Sequence, residues 1–269
     1  MKILEQFIMG KREDQSLCED GLFINEDFIA VFDGVTSKSS RTFGGKTGGR
    51  AAMEKAVEAM QDMPFDIDAN GLFERINSGV LSLYDGNSTG EAAVCAVVFS
   101  RHKNEIWSLG DCQYRIIYKG SNEELYRPND KHIDRLLSQV RALVLEISKI
   151  EGATDEELLK NDTGREFILP ILKKQNLLAN YDGNFGYAVL NGTPFVREKI
   201  QIEKVNIGDT VILASDGYPY LDSTLEESEK ELERTIKENP LCDDIFVSTK
   251  GILPGNKSFD DRTFIKFIV

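Results

Sequence analysis

Short apolar runs bounded by turn residues alternate with polar stretches along much of the chain, a pattern typical of β-strands. In the first forty residues, four such runs read ILEQFIM, SLC, GLFIN and FIAVF. Runs of the same kind follow later: AAVCAVVFS, EIWSLGD, YRIIYKG, FGYAVL, VREKIQIEKV, DTVILAS and RTFIKFIV. The pattern therefore predicts a protein built largely from short strands.

Between these runs, apolar residues recur every three or four positions, as they do on one face of a helix. Two such sets lie between the fourth and fifth runs: Met53, Ala56, Val57 and Met60, and then Phe73, Ile76, Val80 and Tyr84. Residues 129–180 are richly charged and helical in period, which predicts a helical insertion, or flap, between strands. A charged helix at about 224–238 and a short helix near 241–250 complete the set.

The order of these elements is strands, two helices, strands, helices, strands, helix and strand. Because strands and helices do not alternate one by one, this order favours two antiparallel sheets flanked by helices. The chain of 269 residues shows no repeat and no linker, so we expect one domain over 1–269. The sequence therefore predicts an α+β fold that carries the helical flap.

The net charge of the chain limits the classes of partner that we expect. The formal net charge is −13 at neutral pH. A strongly acidic surface repels phosphate backbones and anionic lipids, so we expect neither nucleic acids nor membranes as general partners. Clustered carboxylates favour divalent cations instead.

Cysteine usage and the N-terminal segment indicate the compartment. The segment MKILEQFIMG is too short and too charged for a secretory signal, and no apolar run approaches the length of a membrane span. The four cysteines lie far apart without a CxxC pair: Cys18, Cys95, Cys112 and Cys242. We expect them to be reduced and mostly buried in a cytoplasmic protein.

Histidine-based chemistry is disfavoured. The chain has only two histidines, His102 and His132, and it contains neither GxSxG nor HExxH. The segment GGKT at 44–47 is similar to a phosphate-binding loop, but the full pattern needs a glycine where this chain has Ser40. We expect GGKT to form a loop and a helix start instead.

Acidic residues gather where the predicted strands begin or end. Asp-Gly occurs five times, mostly as expected turns, but Asp33-Gly34 and Asp216-Gly217 each follow an apolar strand directly. The other acidic positions at strand ends are Glu13-Asp14, Asp111 and Asp260-Asp261. Each position taken alone is compatible with a turn or a solvated charge, so the interpretation depends on the whole set.

Carboxylates that meet at buried strand ends repel one another and lose hydration, and a divalent metal ion resolves both problems. Mg²⁺ and Mn²⁺ prefer oxygen ligands, and two such ions can share a carboxylate and activate a bridging water. A glycine after the aspartate lets a backbone carbonyl approach the ion. On this hypothesis Asp33 bridges two ions and Gly34 contributes its carbonyl.

In this order, the motifs resemble those of the PPM (type-2C-like) metal-dependent serine/threonine protein phosphatases. The matching segments span nearly the whole chain: Glu13-Asp14, VFDG at 31–34, GEAAVCAVV at 90–98, LGDCQYRI at 109–116, FGYAVLNG, ASDG at 214–217 and FDDRTFI at 259–265. The resemblance implies an αββα four-layer sandwich of two central antiparallel sheets with helices outside. It also implies a dinuclear Mg²⁺ or Mn²⁺ centre at one end of the sandwich.

The resemblance assigns roles by position. Asp33 bridges both ions, and Asp216 and Asp260 complete one site; these three are the expected catalytic residues. Glu13 and the Gly34 carbonyl complete the other site, although Glu19-Asp20 is a rival for the acidic pair.

A third, weaker ion and the substrate phosphate also have candidate ligands by resemblance. Asp111 matches an aspartate that helps to hold the third ion. Lys11 and Arg12 are the candidates to bind the phosphate, and an arginine suits a bidentate grip better.

The sequence departs from the family pattern at several positions: Val35 stands where many eukaryotic members have histidine, Tyr220 where a third-ion aspartate is expected, and Cys112 and Gln113 where serine and arginine are usual. These departures bear on the third ion and on how the leaving group is protonated.

The resemblance implies direct hydrolysis of a phosphomonoester by a monomeric enzyme, with a phosphoprotein or a small phosphoester as substrate. The alternative is a catalytically inactive PPM-like regulatory or scaffold module. A haloacid-dehalogenase type of phosphatase needs a second aspartate two residues from its nucleophile, and Asp33 has Val31 and Val35 there.

Overall fold

The computed structural model describes residues 1–36, 40–85, 90–121, 123–128 and 131–269. Within these ranges the strands are β1 (Lys2–Met9), β2 (Asp20–Ile24), β3 (Phe28–Gly34), β4 (Val94–Ser100), β5 (Glu105–Leu109), β6 (Gln113–Ile117), β7 (Glu124–Arg127), β8 (Gln201–Lys204), β9 (Thr210–Ala214) and β10 (Arg262–Ile268). The helices are α1 (Gly48–Gln61), α2 (Ala69–Leu81), α3 (His132–Ile150), α4 (Asp155–Lys160), α5 (Thr163–Leu172) and α6 (Leu225–Glu238).

The strands form two five-stranded antiparallel sheets. The first sheet has the order β1-β10-β9-β6-β7 and the second has the order β2-β3-β4-β5-β8. Helices α1 and α2 pack on the outer face of the second sheet, and α6 lies on the outer side of the first. The expected α+β sandwich of two antiparallel sheets between helices is therefore confirmed.

Strand β3 shows how the sequence builds these layers. Its side chains alternate between the two faces of the sheet. Phe28, Ala30 and Phe32 point toward α1 and α2, whereas Ile29 and Val31 point into the space between the sheets. All five are fully buried, and burial of each large side chain contributes roughly 1.5–3 kcal/mol to folding. Asp33 continues the inward-facing row.

Three predicted elements differ from the structure. The run FGYAVL is extended but makes only isolated bridges, from Tyr187 to Ala179 and from Leu190 to Val94. The run SLC lies in a 3-10 turn over Gln15–Leu17 instead of a strand. The segment 241–250 forms no helix, and four of its carbonyls accept hydrogen bonds from flap side chains: those of Leu241, Cys242, Ser248 and Thr249.

The expected helical insertion corresponds to α3, α4 and α5, between β7 and β8. Asn129 and Asp130, where the predicted insertion begins, lie outside the described residues. Helices α3 and α5 share a small apolar core of their own, formed by Ile133, Leu137, Ile168 and Leu172. Over the described ranges, no helix combines the length and the apolar character needed to cross a membrane.

Arg141 of α3 joins the flap to the segment before β10. Its side chain is fully buried, and its guanidinium donates to Asp162 through Nε at 2.9 Å and Nη2 at 2.7 Å. It also donates to the carbonyls of Leu241 at 2.7 Å, Cys242 at 3.1 Å and Ser248 at 3.0 Å. One side chain therefore fixes the path of the loop at 241–248.

We expect Arg141→Met to lower the free energy of unfolding by about 3–5 kcal/mol, because it leaves Asp162 and three carbonyls without their donor. Urea unfolding followed by circular dichroism measures the change. Arg234→Met is the matched control, since Arg234 pairs with Glu231 and Glu238 on the exposed face of α6 and should change stability by less than about 1 kcal/mol. Equal losses in the two variants would contradict the anchoring role of Arg141.

Candidate metal centre and active site

Strand register brings the first two carboxylates together. In the antiparallel pair of β2 and β3, Asp20 lies directly opposite Asp33. Because side chains alternate along a strand, Asp33 shares the inward face of the sheet with Ile29 and Val31. Asp20 reaches across to the other sheet and accepts a hydrogen bond from Thr263 Oγ1 at 2.9 Å. Both carboxylates therefore lie at the end of the space between the sheets.

The first sheet supplies the facing carboxylates. Asp216 follows β9 and Asp260 precedes β10, and these two strands are antiparallel neighbours, so the end of one meets the start of the other. The backbone N–H of Ser215 donates to the carbonyl of Thr263 at 3.1 Å and extends this pairing. The backbone N–H of Asp216 donates to Asp33 Oδ2 at 3.3 Å and joins the two sheets.

Both glycines of the two Asp-Gly pairs allow close backbone approach. A Cβ at Gly217 would lie 2.0 Å from the carbonyl oxygen of Asp261, and a Cβ at Gly34 would lie 2.5 Å from the carbonyl oxygens of Glu19 and Gly49. No side chain fits at either position. The glycines therefore let neighbouring segments converge beside the aspartates.

Burial and mutual repulsion act on the carboxylates at the end of the sandwich. Burial raises the pKa of Asp33 well above its usual range, and the charges of Asp20, Asp111 and Asp260 raise it further. Burial also raises the pKa of Asp216, with Asp33 as the strongest neighbouring charge. Such a pair resists ionisation unless positive charge is brought to it.

Asp260 has the opposite environment. Its Oδ1 lies 2.7 Å from Lys11 Nζ and its Oδ2 lies 2.6 Å from Lys250 Nζ. Burial opposes ionisation, but Lys250 and Lys11 together hold the pKa of Asp260 well below its usual range. Both oxygens of this expected metal ligand therefore already bind ammonium groups.

Lys11 is enclosed by acidic side chains. It is 6% exposed, and its Nζ lies 3.3 Å from Asp261 Oδ2 and 3.6 Å from Glu19 Oε2. It also donates to Thr36 Oγ1 at 3.2 Å. Lys11 therefore neutralises carboxylates of the centre and does not line the cleft described below.

The structure brings Glu19-Asp20 to the centre and leaves Glu13 outside it. The Glu13 side chain is 84% exposed and pairs with Lys257 at 2.5 Å, and the 3-10 turn that follows at Gln15–Leu17 has no buried residue. Glu19 is buried and accepts hydrogen bonds from Thr47 Oγ1 at 2.6 Å and Thr36 Oγ1 at 2.7 Å. The position expected for Glu13 is thus occupied by the rival pair.

The contacts of Thr47 show the structural role of the GGKT segment. Its hydroxyl caps α1 by accepting the N–H of Arg50 at 3.3 Å, and it donates to Glu19 as described above. The segment is therefore a helix start beside the centre, as the sequence indicated.

A cleft of about 670 Å³ opens over the carboxylates. Asp33, Asp111, Asp216 and Asp260 line one side of it. Basic side chains of the flap and of the loop before β10 also line it: Lys131, Arg135, Arg165, Lys173 and Lys250. Arg12 is exposed at the surface and is not part of the lining. The sequence did not reveal these flap residues, because nothing in a charged helix marks which side faces a cleft.

Asp111 lies at the edge of the centre, where the left-handed residue Gly110 turns the chain after β5 with φ of 102°. Its Oδ2 is 3.8 Å from Lys131 Nζ, which also lies 3.1 Å from Asp134 and 4.2 Å from the ring centre of Tyr187. The charge of Asp111 is therefore close enough to raise the pKa of Asp33 and Asp216, but the ammonium of Lys131 already lies beside Asp111.

The departures from the family pattern have structural counterparts. Tyr220 is 45% exposed and donates to the carbonyl of Ile245 at 3.2 Å, away from the carboxylates. Cys112 belongs to the core between the sheets. Gln113 Nε2 donates to the carbonyls of Ser215 at 3.2 Å and Tyr218 at 2.9 Å, so it holds the turn that contains Asp216.

The donor chemistry of the centre suits a hard divalent cation. As the side chains stand, no three acidic, histidine or cysteine residues within the described ranges form a ready set of metal ligands. Asp33 and Asp216 nevertheless offer carboxylate oxygens. Burial and mutual repulsion raise the pKa of both side chains, and a divalent ion relieves both effects. The residues therefore fit an ion between Asp33 and Asp216.

No protein-family model matches the sequence, and no curated protein matches it either. Solved structures do match. The catalytic domain of the serine/threonine protein phosphatase PstP in complex with two manganese ions is 15% identical, with a TM-score of 0.52 over 100% of both chains. A point mutant of a bacterial serine phosphatase is 13% identical, with a TM-score of 0.50 over 99% of this chain and 98% of that one. The protein therefore has the fold of the PPM-type serine/threonine phosphatases.

The crowding of carboxylates predicts that removal of one charge stabilises the metal-free protein. We expect Asp33→Asn to raise the free energy of unfolding in EDTA at pH 7 by about 1–3 kcal/mol, since one pKa unit corresponds to about 1.4 kcal/mol. Asparagine keeps an oxygen that accepts the Asp216 N–H. Urea unfolding measures the gain, and Asp66→Asn, an exposed loop residue, is the control.

The pH dependence has a defined sign. A carboxyl group whose folded-state pKa exceeds its unfolded value binds its proton more tightly when folded, so stability rises as the pH falls from 7 toward about 4. The wild type should show this rise in EDTA, and Asp33→Asn should show less of it. A less stable Asp33→Asn variant with an unchanged pH profile would contradict the repulsion between these carboxylates.

Proposed function

We propose that the protein is a metal-dependent phosphomonoester hydrolase that acts as a protein serine/threonine phosphatase. One observation carries the proposal: Asp33 and Asp216, from different sheets, meet at the floor of a cleft, and burial raises the pKa of each. The fold shared with PPM-type phosphatases agrees with it.

Asp33 and Asp216 would hold a Mg²⁺ or Mn²⁺ ion, with Asp111 and the Gly34 carbonyl nearby. Such an ion, when bound, lowers the pKa of water and offsets the charge of a phosphoryl group. Asp260 remains the third expected ligand, and Glu19 replaces Glu13 as the acidic residue of the second expected position. Two ions and a third, weaker one follow from the resemblance.

The basic side chains of the cleft are better placed than Lys11 or Arg12 to receive the substrate phosphate. Arg165 is half-buried, lines the cleft and donates through Nη1 to the carbonyl of Thr249 at 2.6 Å. Burial lowers the pKa of Arg165; the charge of Asp162 opposes this decrease and the charge of Arg141 adds to it. An anion in the cleft would compensate this charge, and a guanidinium suits a phosphate.

We further propose that the chain is one domain, acts as a monomer in the cytoplasm and takes a phosphoprotein or a small phosphoester as substrate. Its net charge of −13 disfavours nucleic acids and anionic membranes. All four cysteines are free and buried, which agrees with a reducing compartment.

The second candidate function is a catalytically inactive PPM-like regulatory or scaffold module. The contacts of Asp260 favour it, since Lys11 and Lys250 bind both of its oxygens. Metal binding without turnover would distinguish this module from the enzyme.

Hydrolysis of p-nitrophenyl phosphate and of serine- and threonine-phosphorylated peptides tests the proposal. We expect turnover with Mn²⁺ or Mg²⁺, none in EDTA, and a loss of at least about 100-fold in Asp33→Asn and Asp216→Asn. Asp66→Asn is the surface control. If calorimetry shows metal binding but no substrate turns over, the inactive module is supported; if no metal binds, the metal-dependent hydrolase fails.

The place of the phosphate can be tested with the same assay. We expect Arg165→Gln to raise KM for the phosphopeptide by about tenfold, because a charge-assisted contact contributes about 1.5–3 kcal/mol. Arg12→Gln, at the surface, tests the assignment made from the sequence and should leave KM unchanged. The reverse result would return the phosphate to Arg12.

A further inference from the structure

Lys11 occupies a position that a cation-binding centre normally leaves to a metal ion. Its ammonium lies among the oxygens of Asp260, Asp261 and Glu19, at 2.7, 3.3 and 3.6 Å. These carboxylates come from two distant parts of the chain, and Thr36 adds a hydroxyl at 3.2 Å. A positive charge coordinated by several carboxylates is the arrangement that a divalent ion would otherwise provide.

The backbone holds Lys11 in this place. Its N–H donates to Asp261 Oδ1 at 2.7 Å, and its carbonyl accepts the N–H of Lys257 at 2.8 Å. The preceding residue, Gly10, is packed so closely that a Cβ there would lie 3.1 Å from the Cβ of Cys18. Since main chain and ammonium are both bound, Lys11 is a fixed part of the centre rather than a surface lysine that folds over it.

Lys250 reaches the same carboxylate from the opposite direction. Its Nζ binds Asp260 Oδ2 at 2.6 Å, whereas Lys11 binds Oδ1. The two residues before it are anchored to the flap, because Arg141 donates to the carbonyl of Ser248 at 3.0 Å and Arg165 to that of Thr249 at 2.6 Å. A metal ion at Asp260 would have to share its oxygens with these two ammonium groups or displace one of them.

We propose that Lys11, assisted by Lys250, replaces one of the two metal ions predicted from the sequence, so that the centre holds a single divalent ion between Asp33 and Asp216. This inference rests on the proposed function. Glu19 and Asp260 then serve as counter-ions of Lys11, and Glu19 is further occupied by the hydroxyls of Thr36 and Thr47. The ammonium excludes a second divalent ion by occupying its ligands and by charge repulsion.

The test counts ions and does not depend on turnover. The wild type is titrated with Mn²⁺ by calorimetry, and the metal retained after gel filtration is measured by mass spectrometry. We expect one ion per chain, and Asp33→Asn should abolish its binding. In Lys11→Met, which keeps the volume of the side chain, we expect a second ion to bind at least tenfold more tightly than any second ion in the wild type.

Lys250→Met should increase the affinity for a second ion by less than Lys11→Met does, because it frees only one oxygen of Asp260. Lys257→Met is the matched control: this lysine is 54% exposed and pairs with Glu13, so the ion count should stay at the wild-type value. Circular dichroism checks that each variant is folded, and two ions of similar affinity in the wild type would overturn the inference even if Lys11→Met does not fold.

Two ions bound by the wild type with similar affinity, or an unchanged count in Lys11→Met, would overturn this inference and leave the proposed function intact. A wild type that binds no divalent ion would overturn both. One ion in the wild type and a second in Lys11→Met supports the replacement of a metal ion by a lysine.

Discussion

The repulsion among carboxylates buried between two sheets is the constraint on which the rest of this structure depends. Antiparallel register places Asp20 opposite Asp33, and the junction of β9 and β10 places Asp216 and Asp260 across from them. The protein offsets part of this negative charge with its own lysines. Burial, together with the remaining negative charge, raises the pKa of Asp33 and Asp216.

Much of this arrangement follows from local rules that a sequence displays. Two-residue alternation in β3 separates the residues that face the helices from those that face the other sheet. Apolar residues spaced three and four apart define α1 and α2 to within a few residues. The Asp-Gly pairs that follow the apolar runs FIAVF and VILAS predict acidic side chains at one end of the sandwich, and Asp33 and Asp216 do lie close together there.

The remainder depends on contacts between distant segments, which a local pattern does not contain. Glu13 and Glu19 are both acidic residues before β2, and nothing in the local pattern shows that Glu13 is exposed whereas Glu19 is buried. Lys11 looked like a phosphate ligand, yet Asp261, 250 positions away, holds its backbone among carboxylates. The segment FGYAVL has the composition of a strand, but it makes only single bridges, to Val94 of β4 and to Ala179 outside the sheets.

The anchoring of the flap by Arg141 links the shape of the cleft to the ion pairs of Asp260. The carbonyls bound by Arg141 and Arg165 belong to the loop that carries Lys250 to Asp260. The flap, which lines the cleft, is therefore connected through this loop to the ion pair between Lys250 and Asp260 at the floor of the cleft. An insertion or deletion in α3–α5 would therefore alter the lining of the cleft and the ion pairs of Asp260 at the same time.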